Sequence, residues 1–165
     1  MDEIAGKQFD LVLALDVLEH QEDDNAFIAE IFGKWLAPGG HALITVPAFD
    51  SMFSNHDRFL SHYRRYSLGA LERAMDNAPC RIISKGYLFA SLLPVKVISL
   101  AVERITGRER RWAEQYAVGS WRGGELATSI VTGMMDMDNT ALLWLARHNI
   151  TLPGLSSWVL CEKTG

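Results

Sequence analysis

The stretch Phe9-Asp10-Leu11-Val12-Leu13-Ala14-Leu15-Asp16-Val17 is nearly unbroken in apolar residues and carries an acid near its carboxyl end. An apolar run of this length is the pattern of a strand buried on both faces of a parallel sheet, so it is expected to be central. Asp23 and Asp24 then open a segment in which Phe27, Ile28, Ile31, Trp35 and Leu36 recur at helical spacing, and Pro38-Gly39-Gly40 stops it. His41 to Val46 reads as the next buried strand, closed by Pro47. Strand, helix and strand within about 38 residues predict one right-handed βαβ crossover, and with it an α/β sheet.

Working outward, Ala48 to Tyr66 is polar and aromatic with no clean period, a long loop for a compact domain and therefore a candidate for function. It holds His56, His62, Arg64 and Arg65. Ser67 is placed to cap a helix running through Asn77, with Leu68, Leu71 and Met75 on one face. Arg81 to Phe89 reads as a strand, Val95 to Ile105 as a half-buried helix, and Gly107 to Trp112 as a charged turn. Asn139 to His148 is helical, Leu152-Pro153-Gly154 turns the chain, and Ser157 to Lys163 is a last strand. The whole is expected to be one domain with a helical insertion at about 90–150.

The chain has 165 residues, 48% of them apolar, enough for one core, and a net charge of -4 offers no overall basic field for nucleic acid. Cys80 and Cys161 stand far apart in apolar contexts, which predicts reduced thiols and a cytoplasmic setting. The polar start from Met1 to Lys7 is not a signal peptide, and Pro94 and Lys96 interrupt the one stretch, Tyr87 to Val102, that approaches a membrane span.

Phe9-Asp10-Leu11-Val12, then Asp16-Val17-Leu18-Glu19-His20, then Leu36-Ala37-Pro38-Gly39-Gly40, in this order and spacing, resemble the fourth strand and following helix of class I S-adenosylmethionine-dependent methyltransferases. Asp57 to Tyr66 (DRFLSHYRRY), with Ser67 and Leu71, is similar to an element of a bacterial subgroup related to the ubiquinone-biosynthesis type. Leu152 to Ser156 with the final strand is similar to that subgroup's closing hairpin. Ser61 stands where that subgroup usually has glycine. The resemblance implies a Rossmann-like sheet whose C-terminal half this chain supplies, because the glycine-rich G-x-G-x-G turn of the family does not occur in it. Stand-alone activity and cofactor binding are accordingly expected to be impaired, with a non-catalytic binding or dimerisation module as the alternative. A sheet with an uncovered edge is expected to pair into a homo-oligomer.

The resemblance implies that Asp16, Val17 and Leu18, at the carboxyl end of their strand, line the S-adenosylmethionine pocket; alternatively Asp16 and Glu19 simply accept hydrogen bonds from the first turn of the next helix. Methyl transfer needs a deprotonated, aligned nucleophile, which points to Glu19, His20 and His62 as catalytic residues. A divalent metal on Asp16, Glu19, His20 and His56 or His62 would suit these donors, but a histidine that orients the loop is the simpler reading and the site is taken as metal-free. Tyr63, Arg64, Arg65 and Tyr66 are candidates to grip an anionic or planar acceptor, or else the arginines brace the loop against Asp57, Asp50 or a helix end. The acceptor is expected to be a small molecule or lipid-like compound, which Leu88 to Val102 would line unless that stretch is a core or dimer-contact helix.

Overall fold

The structure, a computed structural model, describes residues 6–106 and 124–164. The charged turn expected at Gly107 to Trp112 and the polar start up to Ala5 lie outside the described residues. Four strands, β1 (Phe9–Leu15), β2 (Leu36–Pro47), β3 (Cys80–Leu88) and β4 (Ser156–Lys163), form one sheet in the order β1-β2-β4-β3. β1 and β2 are parallel, while β4 runs antiparallel to both β2 and β3 and separates them.

The predicted βαβ unit is present, with its helix shorter than the periodicity suggests. α1 (Asp24–Glu30) is capped by Asp23, whose carboxylate accepts from the Ala26 N–H at 2.9 Å. The helix then loosens into a single wide turn over Ile31–Trp35, and the chain is extended from Leu36. Pro38-Gly39-Gly40 therefore forms an irregularity within β2 instead of a helix stop. Gly39 has φ +74, and a Cβ on Gly40 would sit 2.9 Å from the Ala37 carbonyl oxygen, so no side chain fits there without moving backbone.

The core lies on one face of the sheet. Val12, Ala14, Ala42, Ile44, Val46, Val159 and Cys161 pack there against Ile28, Ile31 and Phe32 and against Leu68, Leu71 and Met75 of α3 (Leu68–Met75). Ser67 caps α3 as the sequence predicts, its hydroxyl accepting from the Ala70 N–H at 3.2 Å. Cys80 and Cys161 are free thiols, and Cys161 is buried.

Three further expectations are corrected. β1 is an edge strand among the described residues, and only its core side is covered: Leu11, Leu13 and Leu15 on the other face are half or more exposed. The apolar run was read as buried on both faces because hydrophobicity alone does not say what covers a face. The helix predicted at Val95 to Ile105, α4 (Leu93–Thr106), buries only Leu100, and Val95, Val97, Ile98, Val102 and Ile105 are exposed, so it is not a core helix here. α5 (Gly124–Arg147) extends well before the Asn139 start read from the sequence and packs on β3.

Candidate functional site

The site stands at the carboxyl ends of parallel strands β1 and β2, where open α/β sheets bind ligands. Asp16 leaves β1 in a left-handed conformation (φ 53), which an aspartate tolerates better than most residues. Its N–H donates to the Thr45 carbonyl at 3.0 Å, and its carboxylate accepts from the Thr45 hydroxyl at 3.1 Å. That pinned corner launches a single turn over Leu18–His20, closed by the His20 N–H donating to the Val17 carbonyl at 3.1 Å.

The long loop predicted from Ala48 to Tyr66 returns to this turn. Within it, α2 (Asn55–Phe59) opens on Ser54 through a reciprocal cap: the Ser54 N–H and hydroxyl both donate to Asp57 Oδ2, at 2.9 and 2.8 Å. The other carboxylate oxygen of Asp57 accepts from Arg65 Nε at 2.6 Å and lies 3.0 Å from His62 Nδ1. The Tyr63 N–H donates to the Glu19 carbonyl at 2.8 Å, tying the loop to the β1 turn.

Glu19, His20 and His62 are thereby brought together. Their ligand-capable atoms all lie within 4.8 Å of one another, and the His20 and His62 rings meet edge to face at 4.6 Å. Glu19 is completely buried, yet neither carboxylate oxygen has a hydrogen-bond donor among the described residues. Burial pushes its carboxyl up to about 7, with its own nearby backbone N–H opposing without the alignment of a hydrogen bond, and the charge of Asp16 adding. Asp57 is the opposite case. Burial works against its charge, but the Arg65 guanidinium and the Ser54 donors prevail and bring its carboxyl down to about 2. An ionised Asp57 only accepts, so in the neutral His62 ring the proton sits on Nδ1 and Nε2 keeps its lone pair toward Glu19 Oε1, 4.0 Å away.

The other predicted residues divide. Val17 is half-buried at the strand end beside exposed Asp16, so both can face a ligand. Leu18 is wholly buried and packs in the core. Of the acceptor-binding candidates, Tyr63 is 54% exposed and open to a ligand. Arg65 is committed to Asp57 and to the Ala48 carbonyl, with 8% of its side chain exposed. Arg64 pairs with Asp24 at 2.9 Å and donates to the Glu22 carbonyl, and the buried Tyr66 hydroxyl donates to Asp24 at 2.8 Å. Arg65 braces the loop against Asp57, and Arg64 and Tyr66 anchor it to the start of α1. His56 is exposed and outside the Glu19 cluster.

Sequence reasoning missed the centrality of Asp57 and Thr45. The signal for Asp57 was present as Ser54-x-x-Asp57, a capping spacing three residues long. On the sheet face away from the core, Leu43, Thr45, Leu88, Leu143, Trp158 and Leu160 line an apolar cleft of about 490 Å³, and Thr45 joins it to Asp16. From the predicted Leu88 to Val102 lining, Leu88 alone reaches it.

Ser61, one residue before His62, adopts φ 60. That accounts for the glycine usual at this position in the resembling subgroup, since a left-handed L-residue costs about 1–2 kcal/mol. Ser61→Gly is expected to stabilise the protein by up to about 1 kcal/mol after glycine's extra freedom in the unfolded chain is offset, raising Tm by roughly 2–4 °C in a scanning calorimeter. A lower Tm would show that the serine side chain itself holds the turn.

Residues 2–85 match the profile of the family described as methyltransferase domain, and the chain belongs to that family. Among solved structures, a Bacillus halodurans protein assigned as a methyltransferase is similar over 100% of this chain and 68% of its own, at 12% identity and a TM-score of 0.52. A Galdieria sulphuraria protein assigned as a sarcosine dimethylglycine methyltransferase is similar over 99% of this chain and 56% of its own, at 15% identity and a TM-score of 0.49. The chain thus spans little more than half the length of one relative and about two thirds of the other. The first likeness shows the fold to be that of Rossmann-like methyltransferases. A search of curated protein sequences finds no match. No helix among the described residues is long and apolar enough to cross a membrane.

Proposed function

We propose that this chain is the acceptor-side half of an S-adenosylmethionine-dependent methyltransferase of the ubiquinone-biosynthesis-like type, acting in the cytoplasm on a small-molecule or lipid-like acceptor. The observation that carries the reading is the buried Glu19 carboxylate, without donors, beside the Asp57-oriented His62 at the carboxyl end of β1. Asp16 and Val17 fit the edge of a cofactor, being accessible at the strand end, and the chain contains no G-x-G-x-G turn to grip the rest, which supports weak binding on its own. S-adenosylmethionine would supply an electrophilic methyl group on a sulfonium that leaves as a neutral thioether. The nucleophile's proton would pass to the Glu19 carboxylate or to His62 Nε2, and exposed His20 would orient the acceptor. The cleft of about 490 Å³ beside Thr45 supports an apolar acceptor body.

Isothermal titration with S-adenosylhomocysteine into this chain and into the full-length product of its gene tests this, together with transfer of label from methyl-tritiated S-adenosylmethionine. Absence of both binding and transfer in the full-length product would sink it. A second reading, a non-catalytic dimerisation module, is favoured by exposed Leu11, Leu13 and Leu15 on the uncovered edge strand. It requires a homodimer, and a monomer by light scattering at micromolar concentration excludes it.

A further inference from the structure

The apolar cleft beside Thr45 has a direction. Its floor follows the strand register: Thr45 pairs with Trp158 and Trp158 with Gly86 in one row, and Leu43 pairs with Leu160 and Leu160 with Ser84 two residues away. Thr45 and Ser84 therefore stand two strands and two residues apart, roughly 12 Å at ~4.8 Å between strands and ~3.3 Å per residue. α5 forms the wall and runs from the carboxyl ends of the strands toward their starts. Asn139 accepts the Phe89 N–H at 3.0 Å, a Cβ on Gly86 would sit 3.3 Å from the Ala146 Cβ, and Arg147 lines the space with Ser84. Thr45, whose hydroxyl donates to Asp16, marks one end of the cleft and Arg147 the other.

Among the described residues of this lining, Arg147 carries the one full charge and no acid faces it. Its guanidinium has neither an ion pair nor a hydrogen bond among the described residues. Trp158, 7% exposed in the floor, adds a second unanswered donor: its buried Nε1 has no acceptor, and the ring fits because Gly86 carries no side chain, a Cβ there coming within 3.2 Å of that nitrogen. A cleft that is apolar along its length and rich in donors selects a ligand with an apolar body and an anionic end, and the guanidinium fork matches a carboxylate through two parallel bonds. We propose that the cleft binds a compact carboxylate-bearing amphiphile, with the carboxylate on Arg147 and the body running over Leu160 and Trp158 toward Thr45. Arg147 then discriminates by charge and the row spacing by length, since a longer chain passes Thr45 and leaves the cleft. As a carboxylate site this stands on its own; only the idea that the ligand is the methyl acceptor, offering its other end to the carboxyl ends of β1 and β2, rests on the methyltransferase reading.

The test is calorimetric titration of this chain with sodium octanoate and, separately, 1-octanol, without S-adenosylmethionine. One octanoate per chain is expected to bind, about tenfold more tightly than the alcohol. Arg147→Gln should remove that preference by weakening octanoate about tenfold and leaving 1-octanol unchanged. Leu143→Trp, at a position 43% exposed on α5, fills the cleft without disturbing the core and should weaken both ligands. Arg58→Gln, on an arginine bonded to Asn55, should change neither. Across straight-chain carboxylates, affinity should rise about two- to fourfold per methylene from butanoate to octanoate and level off beyond decanoate. Circular dichroism checks each fold, and Arg147→Gln, on an exposed side chain, reads the site if the cleft-filling variant fails to fold. No saturable one-to-one binding, equal affinity for octanoate and 1-octanol, binding untouched by Arg147→Gln, or a rise that continues through dodecanoate would overturn the proposal. A protein that discriminates octanoate but neither binds S-adenosylhomocysteine nor transfers methyl groups would keep the cleft and lose the methyltransferase reading, and the converse result would remove the carboxylate site alone.

Discussion

Asp57→Ala is expected to cost about 3–5 kcal/mol of stability, because it strips a buried charge of its partner instead of removing a pair. The carboxylate accepts from Ser54 twice and from Arg65, and it holds His62, so its loss leaves the Arg65 guanidinium, 8% exposed, without an opposite charge. For a chain of this size that lowers Tm by roughly 10 °C or more in thermal unfolding followed by circular dichroism. Arg65→Met added to Asp57→Ala should restore part of the loss, since the orphaned charge leaves with it; additivity of the two losses would contradict the pairing. Acid should act in the same direction. The folded Asp57 carboxyl sits near 2 against an ordinary 3.8, so its stabilisation is complete above about pH 4 and is lost as pH falls toward 2. By linkage that is about 2 kcal/mol, a share of acid sensitivity that Asp57→Ala should lack.

Glu19→Gln should separate activity from stability. On the proposed reading, the full-length enzyme loses about 10²–10⁴-fold in methyl transfer when Glu19 can no longer accept a proton. The amide fills the same space, carries no charge into the interior and offers N–H groups toward His62 Nε2, so thermal stability should hold or rise. Labelled methyl transfer and calorimetry on one preparation read both. A variant with full activity and lowered Tm would make Glu19 a structural residue. A buried acid kept without donors against its own stability is the kind of local cost that persists at functional sites.

Much of this was legible in the amino-acid order. The apolar run at Phe9 to Val17, the periodic segment after Asp23 and the strand before Pro47 announced a βαβ unit because each carries its own period and boundary residues. Glu19, His20 and His62 were picked out by residue type, and the fold brings them together. What failed had physical causes. Burial of β1 depends on what lies across from Leu11, Leu13 and Leu15, which a strand's own composition does not encode. A five-residue helix such as α2 has too few turns to show a period, so Asp57 was hidden in a loop although its cap was readable. Arg65 and Tyr66 were picked out by their chemistry, but their partners in other segments, Asp57 and Asp24, cannot be read from residue type alone.

The sheet order carries a consequence for synthesis. Among the described residues β3 has no hydrogen-bonded neighbour other than β4, and β4 leaves the ribosome about 70 residues after it. At a translation rate of about 5–20 residues per second, β3 waits several seconds as an unzipped ribbon edge before its seam can be closed. The βαβ unit of β1 and β2 can collapse early and locally, whereas joining it to β3 is a long-range event that waits for β4. The nascent chain is therefore most exposed to misassociation in that interval, and holdase chaperones have their opening there.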